Sequence, residues 1–397
     1  MQIPLLKSRT RGELGIIALY LALAIVVTIQ HTVGKAPVNN FLIFRASFWH
    51  LVNGQDIYAW YLKEHWDLFK YSPTCALLFA PFAVLPIGLG LLCWNLLNVG
   101  ALTFAMLRLL PGRAGVAALL IALLEAIGSI QVSQSNALVA GLIIMTVLAL
   151  EEDHVALGAT SVILGASIKV FPLTAGIFGL LTPMRWRHIA WCVLIGILFV
   201  LLPLLVTSPA NLQMQYHSWF VLQAQDNTKT GMAWMGGIIE LATHRAIPHW
   251  PVQAFGAAVV IASAWFARNS WSDPIVRRLL LASLLIFSVV FNHMAESPSF
   301  VIAFAGVGIW WACLPRERWR DAVVLMIVLL GSVGGSDVTP KHFRDEWHRN
   351  IQLKAIVTLI GWFALQFDVV RQIGRGDQRT FADSNARGLP TKNSARV

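Results

Sequence analysis

Charge is what this sequence has least of: Asp, Glu, Lys and Arg make up 13% of 397 residues, while hydrophobic residues make up 57%. Apolar runs near the length of about 20 residues that a bilayer core demands recur along it, which places it among polytopic membrane proteins. Period-two alternation is missing from those runs, so a transmembrane barrel is excluded. Spans that satisfy every backbone group internally are then helices. Cysteine is also scarce. Cys75, Cys93, Cys192 and Cys313 have no paired spacing, which argues against a disulfide framework or a zinc site. The chain has no phosphate-cradling glycine loop, no metalloprotease helix, no serine nucleophile elbow and no set of iron ligands. Nucleotide hydrolysis is therefore not expected, nor is a metal or cofactor. The first apolar run, Leu14 to Gln30, follows Lys7, Arg9 and Arg11 without a convincing small-residue cleavage site and is read as a retained anchor.

What is present predicts an all-α fold of about twelve spans, near 14–33, 72–85, 87–109, 114–131, 135–150, 154–172, 188–207, 252–268, 275–291, 299–314, 320–335 and 353–370. They form one membrane domain, 1–370, followed by a basic tail, 371–397, expected to be disordered at the cytoplasmic lipid surface. The net charge of +10 lies partly in that tail, so membrane lipid is the expected partner and nucleic acid is not. With the N-terminus inside, "TPMRWRH", "RNSWSDPIVRR" and "PRERWR" fall on the cytoplasmic side and the acidic "EEDH" at 151–154 falls outside, as the positive-inside rule favours. Both termini are then cytoplasmic. The outer face of the cytoplasmic membrane carries loops at about 34–71, 208–251, 292–298 and 336–352, rich in Trp, Tyr, Asn and His. Binding or chemistry is expected there.

In "NNFLIFRASFWHLVNGQDIYAWY", residues 39–61, Phe41, Phe44, Phe48 and Leu51 recur every three or four positions, predicting an amphipathic helix on the bilayer surface that Gly54 ends. An interfacial anchor is the plain reading of its rings. Arg45, Asp56, Glu64 and Asp67 stand where a helix surface can turn towards the bundle. Gln131, Gln134 and Asn136 fall at an expected cytoplasmic helix end and read as caps. Glu125 and Lys169, in apolar surroundings of the inner half, read as a structural ion pair, although intramembrane charge is by default a functional signal. "FNHMAESPSF" sets His293 and Glu296 one helical turn apart, either a satisfied helix end or a pair for an anionic headgroup and a sugar hydroxyl. "TPKHFRDEWHRNIQLK" crowds Lys341, Arg344 and Arg349 before the last span, which suggests a bound phosphate.

Taken together, "GQDIY" (54–58), "FKYSPT" (69–74), "PFAVLP" (81–86), "WNLL" (94–97), "QSN" (134–136), "KVFPL" (169–173) and "HMAES" (293–297) resemble the family 87 glycosyltransferases, the domain of unknown function 2029 group with the GT-C fold. The resemblance spans roughly Leu14 to Asp368. It implies an inverting enzyme that moves a sugar, often mannose, from a polyprenyl-phosphate sugar to a lipid-linked or glycan acceptor outside the cytoplasm, with a first-loop carboxylate as general base. Much of the family has an acid where this chain has Asn40, and an amide is no base at neutral pH. Asn40 is therefore assigned to binding a sugar or acceptor. The candidate bases are Asp56, Asp67 and Glu296, in that order. His293, with Lys341 and Arg349 as helpers, is assigned to the donor phosphate, and Arg45, Tyr58, Tyr71 and Arg344 join the binding set. Two other readings stay open. One is a twelve-span secondary transporter, although no half-to-half repeat is visible. The other is a noncatalytic lipid- or glycan-assembly relative, suggested by Asn40.

Overall fold

The computed structural model describes residues 9–34, 38–226 and 233–387, apart from the side chains of 348–350 and 375–387. Among the described residues the elements are helical and no strand occurs. Helix α1 (Arg11–Val33) opens on a capping box in which Thr10 Oγ1 accepts from Glu13 N and the Glu13 carboxylate accepts from Thr10 N. Helix α2 (Asn39–Val52) forms where its periodicity predicts, and Gly54, at φ +70°, ends it in a conformation that suits glycine. Its aromatic face does not anchor in lipid. Phe41, Phe44, Phe48 and Leu51 are buried, with Phe44 stacked on Phe79 at 5.1 Å and tilted on Trp94 at 5.4 Å. The anchor reading fails because the following segment supplies an apolar partner.

That segment is broken by proline. Ser72 caps α3 (Pro73–Leu78), and Pro81 lies in α4 (Ala80–Ala83), before Pro86 leads into α5 (Ile87–Leu109). Six and four residues rise only about 15 Å in total at about 1.5 Å per residue. The expected span at 72–85 therefore does not cross; it roofs the rings of α2 instead. The chain continues through α6 (Arg113–Gln131), α7 (Asn136–Glu151), α8 (Val155–Ile168), α9 (Ile177–Leu180), α10 (Arg185–Leu201), α11 (Pro209–Asp226) and α12 (Met235–Thr243). It ends with α13 (His249–Phe266), α14 (Pro274–Val290), α15 (Phe300–Cys313), α16 (Arg318–Met326), α17 (Lys341–Phe343) and α18 (Leu353–Arg387), the last of which runs past residue 370. Among the described residues, six helices are long and apolar enough to cross a membrane: Arg11–Val33, Ile87–Leu109, Arg113–Gln131, Arg185–Leu205, His249–Ser270 and Leu353–Gly374. Shorter apolar helices, α7, α8 and α15 among them, pack between these.

Hydrogen bonds sort the turns onto two ends. Glu13 Oε1 accepts from Gly112 N at 3.0 Å, Arg108 pairs with Glu152, and Arg277 Nε reaches Glu151 Oε1 at 2.6 Å. The α5–α6 and α7–α8 turns therefore lie beside the start of α1. At the opposite end, a His31 ring nitrogen meets Gln131 O at 2.8 Å, Asn40 Nδ2 donates to Val132 O at 2.8 Å, and Ser72 Oγ donates to Ser167 O at 2.6 Å. This second end holds the long loops. The acidic 151–154 turn thus sits at the N-terminal end, opposite to expectation, while Gln134, Asn136 and Lys169 sit at the loop-rich end. The parity is restored by 171–180, a 3-10 turn followed by α9, which folds back along α8. Gly165 admits this by close approach, since a Cβ there would come within 2.9 Å of Pro172. Turns after residue 180 fall at the ends that the expected threading gives them, as the Trp219–Lys70, Arg277–Glu151 and Gln134–Glu296 bonds show, and among the described residues the N-terminal end carries most of the lysine and arginine.

Glu125 and Lys169 do not pair. The Glu125 carboxylate is 4% exposed and accepts from Lys354 Nζ at 3.1 Å and from Ser332 Oγ at 2.5 Å, the latter on a π-helical stretch, Ile327–Val333. Lys354 also donates to Ser297 Oγ at 2.9 Å, which ties α18 to the 292–298 loop. Removing one partner strands a buried charge. Glu125→Leu is therefore expected to destabilise the protein by about 3 kcal/mol, and Glu125→Leu with Lys354→Met to restore most of the loss. Thermal unfolding in detergent tests this, and an unchanged midpoint in the single variant would refute it.

Candidate active site

A cavity of about 400 Å³, within the range of small-molecule sites, opens at the loop-rich end between α2, the chain before α3, the α6–α7 turn, the end of α8 and the 292–296 loop. Its aromatic wall comes from Phe44, Tyr71, Phe171 and Trp219. Phe44 and Tyr71 lie with ring centroids 4.7 Å apart, and Trp219 is fixed by its indole N–H donating to Lys70 O at 3.2 Å. Such faces suit the apolar side of a sugar ring.

The polar groups come from distant parts of the chain. Asn40, near the start of α2, lines the cavity and is held by its bond to Val132 O. Asp67 lines it from the first loop, with Oδ1 accepting from Leu68 N at 2.8 Å; among the described residues Oδ2 accepts no hydrogen bond. Lys169 ends α8, and Nζ donates to Asn136 Oδ1 at 2.6 Å. Asn136 Nδ2 donates to Gln134 Oε1 at 2.6 Å and to Pro298 O at 2.9 Å, and Gln134 Nε2 donates to Glu296 Oε2 at 2.9 Å. His293 lines the opposite wall, 2.9 Å from Gln253 Nε2 through Nδ1, with its ring stacked on His249 at a 4.8 Å centroid distance. Burial above all pushes the Tyr71 phenol above its ordinary pKa, and the charges of Glu296 and Asp67 add to the rise. Tyr71 is thus a neutral phenol well above neutral pH as well as at it.

Of the residues assigned from the sequence to catalysis or binding, Asn40, Asp67, Tyr71, His293 and Glu296 line this cavity. The others so assigned are not among its lining residues. Asp56 is satisfied by the first loop and by α11: Oδ1 accepts from Tyr58 N at 2.9 Å and Oδ2 from Ser218 Oγ at 2.8 Å. Tyr58 is buried and donates to Tyr71 O at 2.8 Å, so it supports the wall from behind. Arg45 Nε donates to Ala83 O at 3.1 Å and thereby clamps α4 to α2. Arg344 pairs with Asp337, and Lys341 is exposed on α17; neither lines the cavity. The Arg349 side chain lies outside the described residues. Lys169, Gln134, Gln253 and Trp219 complete the site. Lys169 had a signal in the sequence, since a lysine inside an apolar run is costly without a use. Its assumed place at the other end hid it.

A family model described as glycosyltransferase family 87 matches residues 69–292, more than half of the chain, including the α6–α7 turn and the end of α8 but not α2, Asp67, His293 or Glu296. No curated protein matches the chain.

Proposed function

From the premise that the chain belongs to glycosyltransferase family 87 and is a membrane glycosyltransferase, we propose that it transfers a hexose or pentose, mannose first among them, from a polyprenyl-phosphate sugar to a lipid-linked or glycan acceptor. The reaction takes place at the loop-rich end, on the outer face of the cytoplasmic membrane, with both termini inside. One observation carries this reading: two lysines, Lys70 and Lys169, two carboxylates, a histidine and an aromatic wall converge on one cavity beside the short 171–180 segment. Val170, just before that segment, and Leu173, within it, expose apolar side chains that suit contact with a lipid chain.

In the proposed reaction, Asp67 takes the proton of an acceptor hydroxyl as its oxygen attacks the anomeric carbon. It takes the place of Asp56 as first candidate because it faces the cavity with an uncommitted oxygen. The bond from that carbon to the phosphate oxygen breaks, and polyprenyl phosphate leaves with the electron pair. Attack opposite the leaving group inverts the anomeric centre. Lys169 and His293 face the phosphate, where a cation held in a partly desolvated wall stabilises the charge that grows on the leaving oxygen. Asn40 binds a hydroxyl, and Tyr71 and Trp219 flank the ring.

The test is transfer of radiolabelled mannose from polyprenyl-phosphate mannose to native membrane lipids by the purified protein. Labelled glycolipid of inverted anomeric configuration is expected. No transfer from mannosyl, glucosyl or pentosyl donors across varied acceptors would overturn the reading.

A further inference from the structure

Lys169 and Glu296 are far apart in the sequence, yet two side-chain amides join them without a break. The ends dictate how those amides point. An ammonium only donates, so Asn136 must offer its carbonyl oxygen to Lys169, and its NH₂ is left for Gln134 and Pro298. A carboxylate only accepts, so Gln134 must present its NH₂ to Glu296 and its oxygen to Asn136. The chain has one polarity throughout, and Asn136, at its centre, is fully buried. Asp67 is held differently, within the first loop: Leu68 N donates to its carboxylate, and its carbonyl meets a His65 ring nitrogen at 2.7 Å. The two carboxylates of the cavity therefore belong to separate frames, and Glu296 is the one joined to Lys169. Among the described residues, Glu296 Oε1 accepts no hydrogen bond, and the side chain lines the cavity.

We propose that Gln134 and Asn136 are positioning residues that fasten Glu296 to the phosphate end of the cavity, where its carboxylate accepts a hydrogen bond from a hydroxyl of the donor sugar. This rests on the proposed function, in which Lys169 faces the donor phosphate. Fixing the acceptor group relative to the cation sets which hydroxyl, at which distance from the anomeric phosphate, is read. Glu296 thus contributes to donor-sugar selection, while Asp67 serves the acceptor. A site that binds a substrate hydroxyl with a buried or fixed polar partner discriminates strongly against donors lacking it.

Two ligands separate these roles: polyprenyl phosphate, which carries no sugar, and polyprenyl-phosphate mannose, each titrated against the full-length protein in detergent. Gln134→Met keeps the side-chain length and removes the amide. It is expected to weaken polyprenyl-phosphate mannose binding about 10-fold, as loss of a charge-assisted hydrogen bond warrants, and to leave polyprenyl phosphate within about twofold. Glu296→Gln should behave the same way. The exchange Gln134→Glu with Glu296→Gln retains a donor–acceptor contact, which guards against misfolding. It moves the charge off the cavity position, so sugar-donor affinity should stay low while the thermal midpoint is kept. Equal weakening of both ligands, no weakening of either, or wild-type affinity in the exchange variant would overturn the inference. Wild-type protein that binds neither ligand would overturn the donor reading itself, and the inference with it.

Discussion

Asp67→Asn is expected to lower sugar transfer by about 10²–10⁴-fold, the usual contribution of a positioned general base. The loss should appear equally in kcat and kcat/KM, because the proton moves only in the transition state and the ground-state complex loses little. Asparagine matches aspartate in size and still accepts from Leu68 N, so folding and donor affinity should be kept. Asp56→Asn is the companion measurement. Its carboxylate already takes hydrogen bonds from Tyr58 N and Ser218 Oγ and does not line the cavity. That variant should retain most transfer activity. A dead Asp56→Asn beside an active Asp67→Asn would reverse the assignment, and an active pair would move the base to Glu296.

Lys169→Met should reduce kcat/KM about 10²–10³-fold, comparable to removing one preorganised donor from an oxyanion site. Unlike Asp67→Asn, it should also weaken binding of sugar-free polyprenyl phosphate, since the cation meets the phosphate in both ground and transition states. Lys169→Arg keeps the charge but replaces a compact ammonium with a planar fork, so it should restore only part of the rate. A dead enzyme with undiminished affinity for polyprenyl phosphate would place the phosphate elsewhere, with Lys70, which also lines the cavity, as the next candidate. Steady-state kinetics with separate variation of donor and acceptor decides between these outcomes.

The two variants also show where sequence reading succeeds. Apolar length and glycine are local signals, and they identified the all-helical class and the ring-bearing helix after the first span with its stop at Gly54. Motif resemblance identified the family, and "HMAES" identified one wall of the cavity. Side assignment went astray at a single place. Apolar length predicts a span at 72–85, whereas in the fold its prolines break it into two short helices that stay at one end. The return of 171–180 then compensates, so the charge rule was satisfied by two different threadings.

The sequence by itself determined an all-helical membrane protein, its family, and most of the residue types its cavity uses, because each follows from composition or from neighbours along the chain. Tertiary structure alone decided which of them meet. Asp56 and Asp67 are eleven positions apart in one loop, and only packing against α11 commits the first while leaving the second facing the cavity. Lys169, Asn136, Gln134 and Glu296 become one polar chain because α7, α8 and the 292–298 loop end at the same level of the bundle. No local pattern encodes that level. It is set by which segments cross, and crossing depends on whether a partner covers the apolar face of each segment.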